Sequence, residues 1–309
     1  MKSLPLQALL VFLLVFSSFC HADESGPKST AKVLTIGNSF ADDSTRCLPA
    51  LAKAGGKQLI LFRANLAGHS LEHHAGYIKT FEADPLNPIG SPYTVPMKAD
   101  GIKKKISLRE ALQRDVWDVV TIQQVSQRSP QYETFQPHAR KLIAYIEKYA
   151  PQARILIHET WAYSSDCSRY QDPKTPHLKD PETMYQNLKA AYGKLSAESG
   201  LGMIRVGDAF HSVITSPDPI RLHGIKKDGT GDIHANFNGQ FLGAAMFYEA
   251  VFNDSVLNNP FVPSGVTPEV AQRLREVAHA TPIQQGRAGK IIPVNFSDER
   301  EPVAKAVGE

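Results

Sequence analysis

Five short apolar runs divide this chain and leave it few ways to fold. They are Lys32–Ile36, Gln58–Arg63, Trp117–Ile122, Arg154–His158 and Gly202–Val206. Continuous apolar runs of this length, ended by Gly, Asn or other polar residues, read as strands buried on both faces. The segments between them carry helical patterns. Ser107 precedes Leu108–Gln113 with Glu110 three positions on, a capping box. Tyr132–Tyr149 has apolar residues at helical spacing, Asp180-Pro181 opens another helix, Phe241–Phe252 is apolar throughout, and Thr267-Pro268 starts a last one. Ala41–Leu51 is read as a helix that follows the first strand. Strands alternating with helices imply an α/β protein with a parallel sheet covered on both faces.

Met1–Ala22 has the plan of a cleavable export signal: Lys2, the apolar run Leu9–Phe16, then small and polar residues ending at Ala22. The apolar run falls well short of the roughly 20 residues a membrane span needs. The expected organisation is a signal over 1–22, one domain over 23–280 and an irregular tail over 281–309. Prolines 85, 88, 92 and 96 mark an inserted excursion over about 77–105. The expected location is secreted or periplasmic, with no stable membrane span. A formal net charge of +3 in 309 residues, without a long basic block, argues against nucleic acid as a partner. Without the signal two cysteines remain, Cys47 and Cys167, which fit either one disulfide or two separate buried thiols.

In a parallel sheet the carboxyl ends of the strands gather at one edge, where ligands bind. The residues at those ends are Ser39, Gly68, Gln123-Gln124, His158-Glu159 and Asp208. Ser39 fits a nucleophile close to a helix N-terminus, or a plain helix cap. The loop Asp228–His234 places His234 just before the apolar helix as a candidate general base. Asp232 is two residues away, on the same side of an extended segment, and is the expected orienting acid, with Asp228 in reserve. Asn236 reads as a helix cap, and Trp161 and Tyr163 as packing or a sugar-stacking wall. His69, His73 and His74 raise the alternative of a metal site, but neither HExxH nor the three or four convergent ligands zinc needs can be read from the sequence. No GxGxxG or GxxxxGK[ST] loop is present, so no nucleotide and no other cofactor is expected.

Several of these stretches together resemble the SGNH (GDSL-like) hydrolases, in a branch whose first block reads GNSF. They are Gly37-Asn38-Ser39-Phe40, Asn65-Leu66-Ala67-Gly68, the third strand from Trp117 to Gln124, His158–Tyr163, and His234–Leu242, in that order over Lys32–Phe252. The resemblance implies a three-layer α/β/α, flavodoxin-like fold and hydrolysis of an ester, often an acetyl group on a carbohydrate. It further implies Ser39 as nucleophile, His234 as base and the N–H groups of Ser39 and Gly68 as oxyanion donors. The Gln123-Gln124 pair stands where the family usually has an asparagine donor. The family's closing Asp-x-x-His is broken here, because Gly231 stands three before His234. That break leaves a second expectation, an inactive carbohydrate-binding or scaffold protein on the same fold.

Overall fold

The computed structural model describes residues 26–96, 103–284 and 286. The expected export signal lies outside these residues, as do residues 287–309 of the expected tail. In chain order the elements are β1 (Thr30–Gly37), α1 (Ser39–Thr45), α2 (Leu48–Ala54), β2 (Gln58–Asn65), α3 (Leu71–Ala83), β3 (Tyr93–Pro96), β4 (Lys103–Ile106), α4 (Leu108–Leu112), β5 (Val119–Ile122), α5 (His138–Tyr149), β6 (Arg154–His158), α6 (Pro181–Ser199), β7 (Gly202–Ile204), α7 (Val206–Ile214), β8 (His223–Ile225), β9 (Gly231–Ala235), α8 (Phe237–Phe252) and α9 (Pro268–Ala280).

The central sheet has five strands, all parallel, in the order β2-β1-β5-β6-β7. This is the flavodoxin-like order, and its switch point lies between β1 and β5. β1 is the longest central strand. It pairs with β2 from Thr30↔Gln58 to Gly37↔Asn65 and with β5 from Val33↔Val119 to Ile36↔Ile122. Val33, Leu34, Thr35 and Ile36 are all buried in succession, which requires cover on both faces. α8, apolar almost all round, packs on β1, α1, α2 and α9, while α3, α4 and α5 pack on one another. The architecture is therefore the expected α/β fold with a five-stranded parallel sheet and flanking helices.

Several boundaries differ from the sequence reading, each for a local reason. The helix expected over Ala41–Leu51 is two helices, because Pro49 sits in the first turn of α2 and cannot donate within a continuous helix. The helix expected over Tyr132–Tyr149 starts only at His138, beyond Pro137, with a short 3-10 turn at Tyr132–Thr134 before it. α3 carries Leu71, His74, Ala75 and Ile78 at helical spacing and runs on to Ala83, so the irregular stretch begins at Asp84 rather than Tyr77. That stretch contains the β3–β4 hairpin. Asp208 lies inside the first turn of α7, since β7 stops at Ile204. The loop expected around Asp228–His234 is the β8–β9 hairpin. The Ser107–Glu110 capping box is present as expected. Both cysteines are buried and unpaired.

Candidate active site

Gly37 ends β1 and Ser39 begins α1, with Asn38 as the cap between them. A side chain on Gly37 would come within 2.3 Å of the Gln123 side-chain oxygen and displace the amide that holds Asn38. The first backbone N–H groups of a helix have no partner within it. The Ser39 N–H is one of these, at the switch point of the sheet. Gly68 forms the third position of a turn closed by His69 N–H to Leu66 O at 3.0 Å. Its φ of +72° is the left-handed value that such a turn demands and that glycine adopts without cost. The Gly68 N–H has no protein acceptor among the described residues.

His234 lies on β9, against the first turn of α1. Its ring centre is 5.5 Å from that of Phe40. Nδ1 donates to Asp43 Oδ2 at 2.9 Å. Asp43 is four residues after Ser39 in the same helix, so the two lie on one face, about 5–6 Å apart at Cβ. The buried Asp43 carboxylate also accepts the Ala235 N–H at 3.2 Å and the Gln240 amide at 3.5 Å. With the Nδ1 proton given to a carboxylate, Nε2 carries a free lone pair. Neither His234 Nε2 nor the Ser39 hydroxyl makes a hydrogen bond among the described residues. The Asp43 bond raises the His234 pKa above its ordinary 6.5, with burial opposing and Asp43 and Asp232 adding through charge.

Three expectations for the site need correction. The acid on Nδ1 is Asp43 and not Asp232. The Nδ1 partner is Asp43, and the Asp232 carboxylate instead accepts the Ile233 N–H at 2.7 Å. Asp228 closes its own turn on Thr230. Gln123 and Gln124 are buried fasteners and not free amide donors. Gln123 Nε2 donates to Asn38 Oδ1 at 2.9 Å; Gln124 Oε1 accepts from Leu71 and Val125, and its NH₂ donates to Thr134. His234 is thus tied through Asp43 to the helix that begins at Ser39, and the Gly68 turn is tied to Gly37 and Asn38 just before it, while Asp232, Gln123 and Gln124 take other partners. Asp43 was missed. Its signal was present in the sequence as an acid one helical turn after Ser39.

The other strand-end residues are interior. His158 is fully buried, bonds Ser44 Oγ at 3.1 Å and is pushed down to about 3 by burial. Glu159 is fully buried and pushed up to about 8 by burial, with the Asp208 charge adding. Trp161 is stacked between Phe40 at 4.3 Å and Phe210 at 4.5 Å, and its Nε1 donates to Ile233 O at 3.1 Å. It and Tyr163 are buried packing residues, Trp161 tethering β9, and neither presents a sugar platform. His69, before α3, and the α3 histidines His73 and His74 are engaged within the protein. His69 bonds Ala67 O and Tyr77, His73 bonds Ser70, and His74 joins Gly37 O to the Tyr93 hydroxyl. Asn236 caps α8, accepting the Gly239 N–H at 3.1 Å.

Residues 32–281 match the model of the DUF4886 family, described as a domain of unknown function, and the chain belongs to that family. A crystal structure of a DUF4886 family protein from Bacteroides uniformis ATCC 8492 is 26% identical with a TM-score of 0.67, over 81% of this chain and 93% of that one. A candidate SGNH hydrolase from Slackia heliotrinireducens is 21% identical with a TM-score of 0.49, over 71% of this chain and 98% of that one. A candidate GDSL-like lipase from Parabacteroides merdae ATCC 43184 is 15% identical with a TM-score of 0.45, over 73% and 97%. No curated protein matches this chain.

Proposed function

We propose that this protein is an exported serine esterase. Ser39 is its nucleophile, His234 its general base and Asp43 the acid that orients the base. The observation that carries this reading is the 2.9 Å bond from His234 Nδ1 to an acid one helical turn from Ser39. A serine hydroxyl attacks an ester carbonyl only when a neighbouring base takes its proton. The Asp43 carboxylate fixes the tautomer that leaves Nε2 able to accept that proton, and it stabilises the imidazolium as it forms. The N–H groups of Ser39 and Gly68, which have no protein acceptor among the described residues, are the donors for the tetrahedral oxyanion. His234 then returns the proton to the leaving alcohol, and water repeats the sequence on the acyl-enzyme. The substrate we favour is an O-acetyl ester on a carbohydrate. This follows the SGNH resemblance of the GNSF, Gly68 and His234 blocks, and export follows the signal expected over 1–22.

The alternative, an inactive binding or scaffold protein, drew its support from Gly231 standing where the family's acid is usual. Asp43 fills that role from α1, so the alternative loses its main ground. Initial rates on p-nitrophenyl acetate and acetylated xylan test the proposal, together with labelling by a fluorophosphonate. Ser39→Ala and His234→Ala should each remove most turnover, and Ser39→Ala should remove the label. Full turnover in a folded Ser39→Ala protein would overturn the reading.

A further inference from the structure

Asn38 stands in the GNSF block where the wider pattern has an aspartate, and its amide does something a carboxylate cannot. The residue is buried and all its polar groups are used. Oδ1 accepts the Phe40 N–H at 3.1 Å and Gln123 Nε2 at 2.9 Å. The backbone N–H reaches Gln123 Oε1 at 3.4 Å, and the backbone carbonyl accepts from Ala41 and Asp42. The remaining group, Nδ2, donates to His69 O at 3.0 Å. Two N–H donors at one side-chain atom and a carbonyl at the other permit only this orientation of the amide.

His69 is the last residue of the Leu66–His69 turn that carries Gly68. The first residue of the same turn is pinned as well, since Leu66 N–H donates to Gly37 O at 3.0 Å. Both ends of the Gly68 turn are therefore fastened to the two residues immediately before Ser39. Gly37 O also accepts His74 Nε2 at 3.0 Å, which ties the following helix to the same point. We infer that Asn38 is a positioning residue whose Nδ2–H, through His69 O, sets the Gly68 N–H in register with the Ser39 N–H. The inference rests on the proposed serine-esterase reading. An oxyanion hole built from two different segments works only if their separation is fixed, because small displacements from the productive geometry forfeit transition-state stabilisation. An aspartate would keep the cap on Phe40 but set a carboxylate oxygen against the His69 carbonyl.

The test uses the full chain and the Asn38→Asp and Asn38→Ser variants, with Ser39→Ala alongside. Ser and Asp cap a helix about as well as Asn, and serine is too short to reach His69 O, so either variant can decide the matter. Rates on p-nitrophenyl acetate are measured with the inhibition constant of phenylboronic acid, whose tetrahedral adduct on serine occupies the oxyanion hole. Full removal of an oxyanion donor costs about a hundred- to a thousandfold. A displaced donor should therefore lower kcat by about ten- to a hundredfold, leave KM within about threefold, and weaken phenylboronic acid by a factor like that in kcat. A variant folded as judged by its circular-dichroism melt, with wild-type kcat or with a change confined to KM or stability, would overturn the inference alone. Hydrolysis that survives Ser39→Ala would overturn the nucleophile reading and this inference with it.

Discussion

Asp43 and His234 are 191 residues apart in sequence and 2.9 Å apart in space, and the contact joins β9 to α1 one helical turn from Ser39. Asp43→Asn should keep the packing but let an amide donate to Nδ1. That would put the ring proton on Nε2 and leave no acceptor for the Ser39 hydroxyl. In chymotrypsin-type proteases the equivalent change costs about ten-thousandfold in kcat, and a loss of about a thousandfold or more is expected here. Asp232→Ala should stay within a few fold of wild type, as its carboxylate bonds the Ile233 N–H and not the imidazole. Steady-state kinetics on both variants check the assignment, and the reverse order of effects would return the role to Asp232.

The same bond sets a pH dependence whose two consequences run in opposite directions. His234 is held above its ordinary 6.5 by Asp43, and only the neutral imidazole can act as base. The acidic limb of kcat/KM should therefore have its midpoint above 6.5 and should move to lower pH in whatever activity Asp43→Asn retains, where burial acts without the carboxylate. Stability follows the other sign. A raised folded-state pKa contributes stability that is fully present below the unfolded value and is lost as pH rises through the folded one. The melting temperature of wild type relative to His234→Gln should thus shrink as pH rises from 6 to 9. An acidic limb unmoved by Asp43→Asn would contradict the pairing.

What could be read from the chain beforehand follows from how local each signal is. The five strands and the caps at Ser107, Asp180 and Thr267 are written in adjacent residues, and they are present in the fold. Ser39 and Gly68 follow the ends of β1 and β2, which share an edge in a parallel sheet, and His234 stands out as the histidine just before the apolar helix α8. Asp43 stands far from His234 in the sequence, so nothing near the base points to it. Its pairing depends on β9 lying across α1, a tertiary fact that no window of residues contains. Gln123 and Gln124 follow directly on the end of β5. Whether their amides face the site or the Asn38 and Leu71 backbone is decided by packing at the switch point.

Trp161 offers a test of how β9 is held. Its ring is fully buried between Phe40 and Phe210, and Nε1 bonds Ile233 O, the residue before His234. Trp161→Ala should cost about 3–5 kcal/mol as a large cavity in the core. Trp161→Phe keeps most of the stacking and removes the N–H. It should lower kcat more than its loss of stability suggests, because β9 loses a tether next to the base. Chemical denaturation and kcat measured on the same preparations separate the two effects. A Trp161→Phe protein destabilised but fully active would mean that the remaining β8–β9 contacts position His234 without it.

Glu159 carries the last prediction. Its carboxyl is buried against Gly207, one oxygen accepting the Asp208 N–H at 3.0 Å and the other without a partner among the described residues. Burial and the Asp208 charge push its pKa up from 4.5 to about 8. The group therefore stays protonated in the folded protein at neutral pH but ionises on unfolding. By linkage its contribution is fully present below 4.5 and is lost as pH rises towards 8, at up to about 1.4 kcal/mol per pH unit, with no further change above that. Glu159→Gln has the same shape and cannot ionise, so its stability relative to wild type should rise between pH 5 and 8 and level off beyond. His74 and His223, held near 4, and His158, near 3, act in the opposite sense. They destabilise the native state as pH falls below about 6.5 in both proteins, and so cancel from the comparison. Urea denaturation of wild type and Glu159→Gln at several pH values measures the difference directly, and a difference independent of pH would show that Glu159 is ionised in the native fold.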